Sequence, residues 1–158
     1  MFRVVLHQPE IPPNTGNLMR LCVNTGAELH LIHPLGFELT DARLRRAGLD
    51  YREHAPVIEH ADFRSFVAAV EPRRMFAFTP RGELLYADVD YEPGDVLLFG
   101  RESDGLPEDV LSDPSVTARV SIPIAPGGRS LNLANAAAIG VFEAWRQHGF
   151  ATGSVPAS

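Results

Sequence analysis

Short apolar runs, separated by polar stretches rich in turn residues, divide this chain into strands and helices. Phe2–His7, Glu28–His33, Met75–Thr79 and Val96–Gly100 are nearly continuous apolar segments, the pattern of strands covered on both faces. Val116–Ile124 is predicted as a further strand. Elsewhere the period changes. Phe63, Phe66, Val67 and Val70 fall at i, i+3, i+4 and i+7, the stripe of an amphipathic helix, with Asp62 placed to cap it and Pro72 to stop it. A helix is predicted from Asn14 to about Asn24. A short arginine-rich one covers Asp41–Ala47, begun by Thr40-Asp41 and ended by Gly48. The last helix runs from Leu131 to about His148. Its residues Leu133, Ala136, Ala137, Ala138, Ile139, Gly140, Val141, Phe142 and Trp145 leave it apolar nearly all round, so it should be covered on more than one side. Strands alternating with helices predict an α/β domain with a mainly parallel sheet and helices on both faces. Residues 1–150 read as one domain and the small polar residues Ala151–Ser158 as a disordered tail.

Composition fits this picture. A chain of 158 residues, 45% of them hydrophobic, can bury one core. No apolar run approaches the length of a membrane span, and Met1–His7 reads as a strand rather than a signal peptide. The single cysteine, Cys22, excludes an internal disulfide and suits a reducing compartment, so the expected location is cytoplasmic. On its helix Cys22 reads as a small buried hydrophobe, not a catalytic thiol. The net charge of −6 argues mildly against general nucleic-acid binding. All fourteen basic residues are arginine, however, whose planar fork suits phosphate. Arg43, Arg45, Arg46 and Arg52 cluster within ten residues. They form either a solvated face or a local basic face for RNA.

Several chemistries are set aside. GxGxxG and GxxxxGK[ST] are missing, as are HExxH and any histidine–cysteine pattern; His30 and His33 sit on opposite faces of one strand, so no metal is expected. Ser130 has no evident triad partners. Three turn-rich segments fall at predicted strand ends, where open α/β sheets gather ligands. They are Pro12-Pro13-Asn14-Thr15-Gly16-Asn17, Gly100-Arg101-Glu102-Ser103-Asp104-Gly105-Leu106-Pro107 and Pro126-Gly127-Gly128-Arg129-Ser130-Leu131-Asn132. Each could be only a turn or a cap, with Asn14 or Ser130 capping a helix. Together they suggest a site of amides, hydroxyls, one loop carboxylate (Glu102) and one arginine (Arg20). Such a set suits positioning reactants more than forming covalent intermediates.

These segments resemble the three motifs of the SPOUT (knotted) RNA methyltransferases. Asn14 to Arg20 is similar to the first, Leu98 to Pro107 to the second, and Ile122 to Ala136 to the third. Flanking stretches at Glu10–Asn17, Leu44–Tyr51 and Glu143–Gln147 resemble the one-domain subgroup that methylates the ribose of the anticodon wobble nucleotide. The likeness covers about residues 1–150. It implies a deep C-terminal trefoil knot, an exception to the usual absence of knots, and S-adenosylmethionine as cofactor, with no metal. It further implies cofactor contacts from Phe78, Gly100, Glu102, Gly105, Ile122, Ser130, Leu131 and Asn132. Arg20, Asn14, Glu102 and Asn132 would surround the reacting centre, and Arg43, Arg45, Arg46 and Arg52 would contact the tRNA anticodon region. A homodimer is implied as well. Phe142 departs from the family pattern, which often has tyrosine there. A knotted methyltransferase for another tRNA or rRNA nucleotide, and a non-catalytic nucleotide- or RNA-binding module, are the alternatives.

Overall fold

The computed structural model describes residues 1–40 and 56–152. Among the described residues, seven strands form one sheet in the order β3-β2-β1-β6-β4-β7-β5. They are β1 (Arg3–His7), β2 (Glu28–Ile32), β3 (Val57–His60), β4 (Met75–Phe78), β5 (Leu84–Leu85), β6 (Val96–Phe99) and β7 (Ala118–Ser121). Every pairing is parallel, with Val4 beside Leu29 on one side and Leu97 on the other.

The alternation of side chains along the strands divides the core in two. Val4, Leu6, Leu97 and Phe99 enter one apolar cluster, while Val5, Val96 and Leu98 enter the other. This is why these strands read as continuous apolar runs: both faces are covered. Helices α1 (Pro12–Thr25) and α4 (Leu133–Gln147) pack against each other over the first cluster. Helices α2 (Phe63–Val70) and α3 (Glu108–Leu111) cover the second, through Phe66, Val110 and Leu111.

Helix ends follow local chemistry. In α1 two prolines open the first turn, so the helix begins two residues before the predicted Asn14; Gly26, at φ 71°, closes it. Asp62 caps α2 as predicted, its carboxylate accepting from Ser65 N at 2.7 Å. Its end comes at Glu71, in left-handed backbone at φ 45°, one residue before Pro72. The predicted strand Val116–Ile124 shortens to Ala118–Ser121, because Val116 N still bonds Asp113 O in a turn and Pro123 cannot extend the ladder. Helix α4 starts at Leu133, not Leu131, since Asn132 is its cap. The predicted helix at Asp41–Ala47 lies outside the described residues, as do residues 153–158 of the predicted tail.

Strand order also prepares a site. The chain runs outward from β1 to β3 and later returns to insert β6 between β1 and β4. The loops following β1 and β6 therefore leave adjacent strands and diverge, which is where parallel sheets bind ligands.

Candidate active site

The three motif segments meet. The loop after β1, the loop after β6 and the segment before α4 surround one cavity of about 580 Å³, within the roughly 300–1,000 Å³ usual for ligand sites. A chain of hydrogen bonds ties them together. The Glu102 carboxylate accepts from Glu10 N at 2.8 Å, Ile11 N at 3.1 Å and Asn14 Nδ2 at 3.1 Å. Asn14 Oδ1 in turn accepts from Asn132 Nδ2 at 2.9 Å. Asn132 Oδ1 then caps α4, accepting from Ala134 N at 2.9 Å and Asn135 N at 3.3 Å. Each side chain uses both ends of its functional group, so none can rotate without breaking a partner's bond. Asn14 is 5% exposed, which makes its two bonds costly to lose.

A second clasp reinforces the first. Glu10 Oε2 and Oε1 accept from Ser103 N and Ser103 Oγ, both at 3.0 Å. Thus Glu10 grips the loop after β6 while Glu102 grips the loop after β1. Sequence reading missed Glu10 because its partner stands 93 positions away.

Glycine shapes the wall. A Cβ on Gly100 would run into the backbone of Gly105 and Leu106, and Arg101 and Gly105 close a two-way backbone bridge. Gly105 itself has φ 73° and would present any Cβ to open space; it is needed for its conformation, not for room. Phe78 stacks on Phe99 with ring centroids 4.5 Å apart. Its ring lies so close to α4 that a Cβ on Gly140 would come within 2.8 Å of it. The aromatic wall is thereby seated against the helix.

Of the predicted cofactor contacts, Phe78, Gly100, Glu102, Gly105, Ile122, Ser130, Leu131 and Asn132 all line this cavity. So does Asn14. Arg20 does not: it is exposed on α1, six positions beyond Asn14 and so about 120° round the helix from it. Arg43, Arg45, Arg46 and Arg52 lie outside the described residues. Cys22 is buried, and burial pushes its thiol up to about 12, which leaves it inert. Among the described residues no group of three histidine, cysteine or acidic side chains could hold a metal ion, and no helix is long and apolar enough to cross a membrane. Arg101 lines the cavity too and was not foreseen as a contact.

A parallel α/β sheet with a glycine-shaped cavity at its strand ends defines the class of open α/β proteins that gather ligands among the loops there. The chain's relatives fix the family. The profile of the SpoU rRNA Methylase family matches residues 1–142, and the chain belongs to that family. It is 58% identical over 156 residues to a tRNA (cytidine(34)-2′-O)-methyltransferase of Burkholderia ambifaria, covering 98% of this chain and 100% of that one. Its fold is similar to a solved structure described as giving structural insights into the 2-OH methylation of C/U34 on tRNA. That match has a TM-score of 0.87 and 45% identity, and covers 94% of this chain and 97% of the other. The SpoU methyltransferase AviRb of Streptomyces viridochromogenes, solved in complex with AdoMet, is similar at a TM-score of 0.81 and 26% identity. There the match covers 92% of this chain and 60% of that one.

Proposed function

We propose that this protein transfers the methyl group of S-adenosylmethionine to the ribose 2′-hydroxyl of nucleotide 34 of tRNA, a cytidine or modified uridine. The observation that carries this reading is the Asn132–Asn14–Glu102 chain, which draws the three motif loops around one cavity. The Burkholderia ambifaria relative acts on that nucleotide by name, and the 45%-identical solved structure is described for methylation of C/U34.

The cavity suits the cofactor. Its wall offers stacked aromatic rings, apolar Ile122 and Leu131, and the backbone around Gly100 and Gly105. Loop N–H and C=O groups can meet the donor and acceptor edges of an adenine. Glu102 places a fixed negative charge at the wall, which favours a cationic ligand. When bound, S-adenosylmethionine supplies a methyl group on a positively charged sulfur, already activated for displacement.

The protein's own task is alignment and proton handling. Alignment of two reactants can supply roughly 7–11 kcal/mol in favourable cases. Asn14, Glu102 and Asn132 supply rigidity at the reacting centre, because their mutual bonds fix the loops before any ligand arrives. We assign to Arg20 the grip on an RNA phosphate beside the target ribose. A guanidinium stays protonated in proteins, so it orients the hydroxyl and does not take its proton; the phosphate accepts it. Arg43, Arg45, Arg46 and Arg52 are proposed tRNA contacts.

The reading includes a homodimer in the cytoplasm and a trefoil knot in the C-terminal part. Helix α4 leaves Phe142 45% exposed beside Trp145, and Phe150 43% exposed against the same tryptophan, an apolar surface suited to a second copy. The close backbone passages of Gly82 against Val120 and of Gly100 against Gly105 suit a tightly threaded chain. Incubation with labelled S-adenosylmethionine and unmethylated total tRNA, followed by mass-spectrometric mapping, tests the activity. A 2′-O-methyl group at nucleotide 34 is expected; methylation elsewhere, or none, overturns the assignment.

A further inference from the structure

The geometry points to Arg101 as a contact for an RNA phosphodiester at the mouth of the cavity, with Gln8 as its positioning residue; this rests on the tRNA methyltransfer reading above. Arg101 lines the cavity and its side chain is 38% exposed, yet the guanidinium is held. Nε donates to Gln8 Oε1 at 3.0 Å, and Nη2 donates to the same oxygen. A guanidinium has five N–H donors. Two of the five are committed to Gln8, which leaves three for a ligand. Asp104 Oδ2 stands 3.9 Å from Nη1, beyond hydrogen-bond range, and Asp104 is 67% exposed, so this ion pair is a weak competitor.

Gln8 occupies an unusual position. Its φ is 53°, left-handed backbone that a non-glycine residue seldom adopts, at the point where β1 ends. Its N–H bonds Ile32 O at 2.9 Å and its side-chain amide reaches toward His33 O at 3.5 Å. A strained residue whose side chain orients a charged group at a cavity is the arrangement a positioning role requires.

Sheet order indicates which anion is met. Arg101 follows β6, and its head turns toward Gln8 at the end of β1, beside β2. Phe78 ends β4 and Ile122 follows β7, on the opposite side of β6. The fork is thus turned from the aromatic and apolar wall toward the end of β1 and the neighbouring β2. Planar N–H donors match phosphate oxygens, two at a time. The cofactor's carboxylate is the competing anion, and affinity measurements separate the two.

The test measures affinity for unmethylated tRNA by filter binding from about 50 to 200 mM salt, and S-adenosylmethionine affinity by calorimetry. R101Q should weaken tRNA binding roughly tenfold and lower the log–log salt slope by about one, with cofactor affinity unchanged. Q8M leaves the charge and loop backbone in place; it should weaken tRNA binding a few-fold without changing the slope. If R101Q does not fold, Q8M decides alone. Unchanged tRNA affinity in the folded variants overturns the proposal, as does a loss confined to the cofactor. Wild-type protein assayed alongside keeps the two readings apart. Failure of wild type to methylate tRNA sinks the activity, whereas normal wild-type turnover with an unaltered R101Q sinks only the role of Arg101.

Discussion

Replacing Asn14 by alanine removes the middle link between the three loops. Its amide donates to a carboxylate, Glu102 Oε1, at 3.1 Å and accepts from Asn132 Nδ2 at 2.9 Å. A hydrogen bond to a charged group contributes about 1.5–3 kcal/mol and a neutral one about 0.5–1.5 kcal/mol, so the gross loss is roughly 2–4.5 kcal/mol. Glu102 keeps its two backbone donors, Glu10 N and Ile11 N. Asn132 keeps its bonds to the start of α4. These retained partners place the expected destabilisation near the lower end, about 2–3 kcal/mol. Urea unfolding at one fixed protein concentration measures it. For a domain of this size the melting temperature should fall by about 4–12 °C. The double cycle with Asn132→Ala is sharper: a direct bond predicts a coupling of about 0.5–1.5 kcal/mol. Strict additivity, or a loss below about 0.5 kcal/mol for Asn14→Ala, would refute the view that this bond clamps the site.

Other expectations follow from particular contacts. Gly100→Ala drives a methyl group into the backbone of Gly105 and Leu106; it should cost about 1–3 kcal/mol and lower cofactor affinity. Gly105→Ala meets open space and pays only for its positive φ, about 1–2 kcal/mol; a larger loss there than at Gly100 by thermal melting would contradict this. Arg20→Ala should abolish turnover while leaving S-adenosylmethionine affinity nearly intact by calorimetry, and a variant with most of its activity ends the phosphate-grip assignment. His7, His30 and His60 are held below the ordinary imidazole value of 6.5, chiefly by burial. They take protons more readily unfolded, so their contribution is complete above about pH 6.5 and is lost as the pH falls toward their folded values. Melting temperature should therefore drop between about pH 7 and pH 5, and a flat profile would contradict it.

Legibility in the sequence varied with how local each feature is. The strands β1, β2, β4 and β6 were readable because burial on both faces leaves an unbroken apolar run. The pattern of Phe63, Phe66, Val67 and Val70 with Asp62 before it likewise contains its own evidence for α2. Strand β3 has no such signature: Val57-Ile58-Glu59-His60 is half polar and lies at the sheet edge. His60 becomes a core residue only because His30 hydrogen-bonds it at 2.9 Å and Phe66 packs edge-on to its ring. Strand β5 has two residues and α3 has four, too few to show a period. At the site, turn residues marked the loops, and the family resemblance chose their side chains. The contact of Asn14 with Asn132 spans 118 positions, and that of Arg101 with Gln8 spans 93. Nothing along the chain announces either, since both depend on β6 being inserted beside β1. Arg20 shows the reverse limit: its motif places it near Asn14 in sequence, but it is exposed on α1 and does not line the cavity.

The most direct measurement is a crystal structure of the protein with S-adenosylhomocysteine bound. The ligand should occupy the cavity between the loops after β1, β6 and β7, against Phe78 and the backbone at Gly100, Gly105 and Leu131, with the Asn132–Asn14–Glu102 bonds intact. A ligand bound elsewhere on the molecule, or those bonds broken to admit it, would contradict the account.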